Sequence, residues 1–397
     1  MAVIWQKYGR VSESNERNLI CGPGKEEKKS NTKKFKISKV KGYSIIHFIP
    51  PQFITLILGG IYMATAISPS VKDFGAKGDY NPITETGTDD TKAFQTALST
   101  IGKGGVLLIP QGHYLIKSSL TTPDRSLIRG LQTFQFGVGP ADGITLHFKL
   151  PSGATAMTLG ANSNIEGFIL RGEGAQVNAI GLTNTGSGSQ MRDLGVYGFN
   201  KGIILNDSFY IRMTSVEIAY CANGLWLNSG IYNLDLYGCV FRQTGNGIRI
   251  FTPVKGLNLY GGSIEHFGGG GGLWLDDGSA GSVVNLFGVY FEAHTDGANG
   301  ITVDTNNNTF NMIGNMVYLS KVNRWFSASG RTDTIINSHG NKFRNTEDNL
   351  NNSIAYFLPP SGYCNIYGDN WGEVTHGTYV GNAGMIKEYK IDVPKGA

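Results

Sequence analysis

From residue 234 onward one short apolar pattern returns again and again. Leu234-Asp-Leu-Tyr-Gly238, Leu257-Asn-Leu-Tyr-Gly261, Val284-Asn-Leu-Phe-Gly288, Phe310-Asn-Met-Ile-Gly314, Ile336-Asn-Ser-His-Gly340 and Cys364-Asn-Ile-Tyr-Gly368 align, and the closing Gly recurs after 23, 27, 26, 26 and 28 residues. Three positions beyond each Gly stands a mostly large apolar residue: Phe241, Ile264, Phe291, Val317, Phe343 and Trp371. The same frame reaches back to Ile218 and Val196, and in the early repeats another apolar segment begins seven residues later, at Ile203, Leu225 and Ile248. Longer insertions precede Leu273 and Ile301.

Each repeat is too short to enclose a core, so each must bury its apolar face against its neighbours. The pattern therefore predicts an all-β parallel solenoid of about 22–28 residues per coil. Strand alternation sends the first and third residues of each motif inward and the middle one outward. That builds an outward column of Asp235, Asn258, Asn285, Asn311, Asn337 and Asn365, read as a structural amide ladder. Tyr237, Tyr260 and Phe287 are read as a stabilising aromatic stack, and the recurring Gly as a corner with positive φ.

A different pattern opens the coil. Val71-Lys-Asp-Phe-Gly-Ala-Lys-Gly-Asp79 is followed by Thr88-Asp-Asp-Thr-Lys-Ala-Phe-Gln-Thr-Ala-Leu98 and by Gly104-Gly-Val-Leu-Leu-Ile-Pro-Gln-Gly-His-Tyr114. Thr88 or Asp89 can N-cap a short helix whose apolar face is Ala93, Phe94, Ala97 and Leu98. Gly104-Gly105 is expected to end it, with residues 106–109 as a short buried strand. These segments resemble the start of the pectate-lyase superfamily, whose members are right-handed parallel β-helices. They include polygalacturonase- and rhamnogalacturonase-like hydrolases, epimerases and bacteriophage tailspike depolymerases. The resemblance implies that the motif caps the coil, so Asp73, Asp79, Asp89 and Asp90 are expected to be structural.

Composition supports a turn-rich β chain. Gly makes up 56 of 397 residues and only 16% are charged, against typical shares of about 7% and 25%. The net charge of +4 divides unevenly: residues 1–66 hold eleven Lys/Arg and four acids, the remainder 23 and 26. The coil therefore lacks the basic footprint of a nucleic-acid binder. Residues 25–41 are Lys-rich, and an apolar run at residues 53–63 precedes Ala64-Thr65-Ala66. That order is found in secretory signals, although the polar leader before it is long. An export signal and a segment that attaches to a phage tail or cell envelope are both consistent with it. The boundaries read as 1–66 leader, 67–130 lead-in and capping helix, 131–375 β-helix and 376–397 tail. Cys21, Cys221, Cys239 and Cys364 show no zinc spacing, and free buried thiols are expected.

Candidate chemistry lies in the outward columns. The residue after each inward apolar position gives Ala219, Arg242, Glu265, Glu292, Tyr318 and Arg344. Glu265 and Glu292 fall on consecutive coils, which puts them about 5 Å apart. A close carboxylate pair resists double ionisation and supplies the acid and the base or nucleophile of glycoside hydrolysis. The competing structural reading has Arg242 neutralising Glu265. A second column runs Ile204, Trp226, Arg249, Trp274, Thr302, with Asp276 and Asp304 as a rival acid pair beside it. Trp226, Arg242, Arg249, Trp274, His294 and Tyr318 are the candidate substrate contacts; His266 and His294, one coil apart, lack a third metal ligand. No serine-hydrolase, phosphate-loop, dinucleotide or His-Glu-x-x-His motif occurs.

The leading expectation is an extracellular polysaccharide depolymerase, a glycoside hydrolase acting on a bacterial surface, capsular or pectin-like glycan. No cofactor is expected for it. A lyase is the nearest alternative; it would use Arg242, Arg249 or Arg344 as base and could require Ca²⁺ at Asp276, Asp277 and Asp304. A non-catalytic glycan-binding tailspike or adhesin is the third. Tailspikes of the superfamily are usually homotrimers, and the outward apolar residues permit that assembly. The location would be secreted, or the virion tail for a phage protein.

Overall fold

A computed structural model describes strands within residues 36–66, then residues 68–131, 143–173, 177–182, 188–268, 271–293, 299–319, 324–328, 333–344, 354–357, 363–369 and 386–389. The chain forms two compact units, Met1–Ile67 and Ser68–Ala397. In the first, Lys36–Val40, Tyr43–His47, Phe53–Leu58 and Ile61–Ala66 form an antiparallel meander in chain order. The apolar run of the sequence is thus a strand pair. Among the described residues no helix is long and apolar enough to cross a membrane.

The second unit is a right-handed parallel β-helix with three faces. On the first face, Leu234–Tyr237 pairs with Leu257–Tyr260, which pairs with Val284–Phe287, then Phe310–Ile313, Ile336–His339 and Cys364–Tyr367. On the second, Glu217–Ala219 is followed by Val240–Arg242, Ser263–Glu265, Tyr290–Glu292 and Met316–Tyr318. The third stacks Ile203, Leu225, Ile248, Leu273 and Ile301. The expected frame is therefore the observed register. Inward residues such as Leu234, Leu257, Val284, Phe310, Ile336 and Cys364 are fully buried, forming one continuous core.

The predicted ladder closes in one direction. Asn258 donates to Asp235, Asn285 to Asn258, Asn311 to Asn285, Asn337 to Asn311 and Asn365 to Asn337, at 2.6–3.0 Å. Asp235 can only accept, so it suits the end of the ladder. Tyr237, Tyr260 and Phe287 stack with centroids 4.8 and 5.2 Å apart. At the corners, Gly238, Gly261, Gly288, Gly314, Gly340 and Gly368 have φ of 57–64°. A Cβ at Gly238 or Gly288 would meet nothing within 4 Å, so conformation rather than space selects glycine there.

A second amide array, inside the corners, was not foreseen. Asn315 accepts from the Val289 N–H, and Asn341 from the Asn315 N–H, each at 2.8 Å. Asp369 accepts from the Asn341 N–H at 2.9 Å. These side chains satisfy backbone donors that the turn leaves without strand partners.

The helix α1, Thr91–Ile101, closes the N-terminal end with Phe94, Ala97 and Leu98 buried. It ends at Gly102, two residues before the expected Gly pair. Asp90, at the N-cap position, does not cap it; its carboxylate accepts from the N–H groups of Lys77 and Gly78 at 2.7 and 3.0 Å. Asp89 instead bonds the Thr91 N–H at 3.0 Å. Asp79 accepts from Thr88 and Asp73 from the Ser70 N–H, so all four acids tie the lead-in together. Cys221, Cys239 and Cys364 are buried free thiols, and burial pushes each up to about 12.

Candidate functional site: the outward columns of two faces

The second face carries two parallel outward columns. One reads His147, Arg171, Tyr197, Ala219, Arg242, Glu265, Glu292, Tyr318 and Arg344. Two residues earlier on each rung stands the other: Ile169, Gly195, Glu217, Val240, Ser263, Tyr290 and Met316. Glu265 and Glu292 are directly paired across adjacent strands, which separates their backbones by about 4.8 Å. Both side chains are half-buried on the outside of the coil.

Their surroundings differ. The Tyr290 hydroxyl donates to Glu292 Oε2 at 2.8 Å. The Tyr290 phenol is pushed up, first by burial, then by that bond and by the charges of Glu292, Tyr318 and Glu265. Its ring meets Tyr318 edge-on at 5.5 Å. A hydroxyl donating to Glu292 favours its ionised form, whereas Glu265 has no side-chain partner among the described residues. The pair is therefore asymmetric, as acid–base chemistry requires.

Arg242 does not neutralise Glu265. It forms an ion pair with the buried Glu217, one rung below and in the second column. The Tyr197 hydroxyl donates to the same carboxylate at 2.7 Å. Burial, and then this bond, pushes the Tyr197 phenol up. A buried carboxylate attracts the nearest cation more strongly than a half-exposed one, because removal from water leaves it less screened.

The third face carries the other candidates in the predicted order, Ile204, Trp226, Arg249, Trp274 and Thr302. Arg249 lies 4.0 Å from the Trp274 centroid and 5.3 Å from that of Trp226. Its Nε and Nη2 both bond Asp276 Oδ2, at 3.0 and 2.8 Å. Trp274 donates its indole N–H to Asp304 at 2.7 Å. The rival acids are thus each engaged by a neighbour on the same face. The two Trp rings are half-buried, and Phe251 lies against Trp226 at 4.3 Å. His294 and the side chain of Arg344 lie outside the described residues; His266 is exposed. No cluster of three metal-ligating side chains is present among the described residues.

A further titratable chain was missed because the repeat had not been extended before Val196. His113, His147 and Glu173 come from successive coils beneath the cap. His147 is fully buried; its Nδ1 lies 2.9 Å from Glu173 Oε1 and its Nε2 3.1 Å from His113 Nδ1. Extending the outward column upstream from Tyr197 leads to Arg171 and His147, so the signal was there to follow.

Residues 68–132 match the family described as "Rhamnogalacturonase A/epimerase, pectate lyase-like". The lead-in and cap are therefore similar to those of pectate-lyase-like proteins. The whole β-helix unit is similar to phage tailspikes in fold. Over 79% of this chain and 50% of the other, the enzymatically active domain of bacteriophage CBA120 tailspike protein 2 gives a TM-score of 0.58 at 14% identity. The gp42 tailspike of Acinetobacter phage vb_AbaP_AS12 gives 0.56 at 12% identity, covering 88% of this chain and 67% of that one. The Dettilon tailspike protein gp208 gives 0.50 at 13%, covering 81% and 68%. No curated protein matches the chain.

Proposed function

We propose that this chain is a polysaccharide depolymerase acting by glycoside hydrolysis on the second face of its β-helix. The observation that carries the reading is the direct rung pairing of Glu265 with Glu292, with the Tyr290 hydroxyl on one member alone. Glu265 donates a proton to the leaving glycosidic oxygen. Glu292, held as the anion, activates water or attacks the anomeric carbon. The spacing is compatible with either stereochemical outcome. Arg242 and Tyr318 flank the pair along the column.

The lyase reading takes an arginine as base. Arg242 is paired with Glu217 and Arg249 with Asp276, each as a charge-assisted contact that deprotonation would abolish. Hydrolysis is the reading we carry. The fold shared with a tailspike domain described as enzymatically active supports a protein acting on surface glycans, placed outside the cell or on a virion, with residues 1–66 as its export or attachment segment. A homotrimer is compatible with that placement.

The test is incubation with capsular, O-antigen and pectic polysaccharides, reading reducing ends and ultraviolet absorbance together. Reducing ends are expected to rise without absorbance, and to fall by at least 100-fold in rate in both Glu265→Gln and Glu292→Gln. Absorbance from an unsaturated product would replace hydrolysis with elimination. Silence on every polymer, with retained binding, would make the chain an adhesin.

A further inference from the structure

Under the cap, one buried histidine is wired to the surface through a second. His147 is fully buried, walled by Glu173, His113 and Tyr80, whose ring centroid lies 4.8 Å from its own. An ionised Glu173 only accepts, so His147 Nδ1 carries the hydrogen across the 2.9 Å contact. Neutral His147 then has a bare Nε2, and the 3.1 Å contact there requires His113 Nδ1 to donate. The chain thereby fixes both tautomers and leaves His113 Nε2 bare, on a half-buried residue.

The same residues fasten the lead-in. Tyr80 donates its N–H to the His113 carbonyl at 3.0 Å, and His113 its N–H to that of Gly78 at 3.1 Å. Tyr80 is buried; Lys149 lies 5.6 Å from its ring centroid and pairs with Glu85 at 2.8 Å. The other charges facing the chain among the described residues are Arg171, 3.8 Å from Glu173, and Asp79, in register with His113 and held by Thr88. A first proton is accommodated, since on His113 Nε2 it leaves every donor and acceptor of the chain in place. A second must go to His147 Nε2. There it meets the His113 Nδ1–H as donor against donor across 3.1 Å, and sets two imidazolium charges side by side. Burial, outweighing the bond to Glu173, also lowers the His147 pKa.

From this geometry we propose that Glu173, His147 and His113 form an acid-sensitive latch that fastens residues 78–88 of the lead-in to the coil. When both histidines are protonated, His113 swings away, water reaches His147, and the segment around Tyr80 opens while the coil stays folded. The latch stands apart from the depolymerase reading, since it uses no residue of the carboxylate pair.

The experiment follows amide hydrogen exchange of the full chain between about pH 7.5 and about pH 5.5, corrected for intrinsic rates. It compares a peptide spanning residues 78–88 with one spanning residues 284–291 of the mid-coil. A free histidine titrates at about 6.5, so one unit lower the equilibrium moves about tenfold toward an open form that takes the proton the closed form refuses. Protection over residues 78–88 should therefore fall about tenfold, while the mid-coil peptide changes by less than about twofold. His147→Gln should hold the fall within about twofold, because its amide donates to Glu173 and accepts from His113 without taking a charge. His113→Gln should hold it within about threefold, because its amide oxygen can accept from a protonated His147. A full fall in His113→Gln would make burial of His147 the whole cause and overturn the relay. A flat response in the parent, or equal loss in its two peptides, would overturn the latch, and that comparison needs no variant.

Discussion

Replacing Asn285 by Ala cuts the first-face ladder in its middle. The side chain donates to Asn258 at 2.6 Å and accepts from Asn311 at 2.7 Å, so two amide–amide bonds are lost. Each contributes about 1 kcal/mol net, because water competes in the unfolded chain. The ladder is half-buried, so water can reach the orphaned Asn311 donor and limits the additional penalty. The expected loss is therefore about 2 kcal/mol, from two bonds at that typical value. Asp235→Asn is the sharper control, since an amide oxygen accepts from Asn258 as a carboxylate does; it should stay within about 0.5 kcal/mol. Asp235→Ala should lose about 1 kcal/mol, the worth of one bond. Urea unfolding measures all three, read as midpoint shifts at constant slope. Coils can also open locally, so hydrogen exchange at Leu286 and Met312, on the two rungs at the cut, serves as a second readout. An Asn285→Ala protein within 0.5 kcal/mol of the parent, with unchanged exchange at both rungs, would show that the column is decoration rather than a bonded ladder.

Three further perturbations follow from the same structure. Arg242→Met removes the cationic partner of the buried Glu217 carboxylate and should cost about 3 kcal/mol; pairing it with Glu217→Gln should recover most of that loss in thermal melts, and no recovery would contradict the pairing. Gly300→Ala places a Cβ 2.3 Å from the buried Trp325 ring and 2.8 Å from its carbonyl, so we expect about 2 kcal/mol of destabilisation; a neutral result would refute that packing. Burial lowers the His147 pKa despite the opposing bond to Glu173. The unfolded residue titrates near about 6.5, so below that pH the unfolded state takes up a proton that the folded state refuses. Stability should be fully present above about pH 6.5 and be lost as pH falls toward the folded value. In melts from pH 8 to 5, His147→Gln should flatten this decline, and an unchanged slope would assign it elsewhere.

The coil was legible because a solenoid converts a one-dimensional repeat into vertical neighbours. Leu234, Leu257 and Val284 had to stack once each repeat was too short to bury itself, and the outward Asn residues followed by alternation. What escaped were the consequences of a second outward residue on the same strand. Glu217 and Tyr290 precede the traced column by two positions, on the same side of the sheet. Tracing one column per strand therefore paired Arg242 with Glu265 and left Glu217 unseen. Asn315 and Asn341 escaped for a different reason: they follow the corner Gly, where strand alternation says nothing about direction. The helix starts at Thr91, with Asp90 rather than Thr88 or Asp89 at the N-cap position, and the Asp90 carboxylate is drawn to two amide donors thirteen and twelve residues earlier.

The two faces also separate on electrostatic grounds that no single column reveals. On the third face, Asp276 is held by Arg249 and Asp304 by the Trp274 indole, so each acid is committed to a contact that protonation would weaken. On the second, Glu217 absorbs the charge of Arg242, which lies between it and the candidate pair. That contact leaves Glu265 without a neutralising neighbour, next to a Glu292 that Tyr290 favours as an anion. The two carboxylates in register are thus served unequally, the Tyr290 hydroxyl reaching Glu292. The buried Glu217 is thus a condition for the proposed chemistry. Releasing Arg242 by Glu217→Gln should let it approach Glu265, favour ionisation of the general acid and move the alkaline limb of any pH–rate profile downward. An unshifted limb in an active, folded Glu217→Gln protein would mean that Glu265 is not the proton donor.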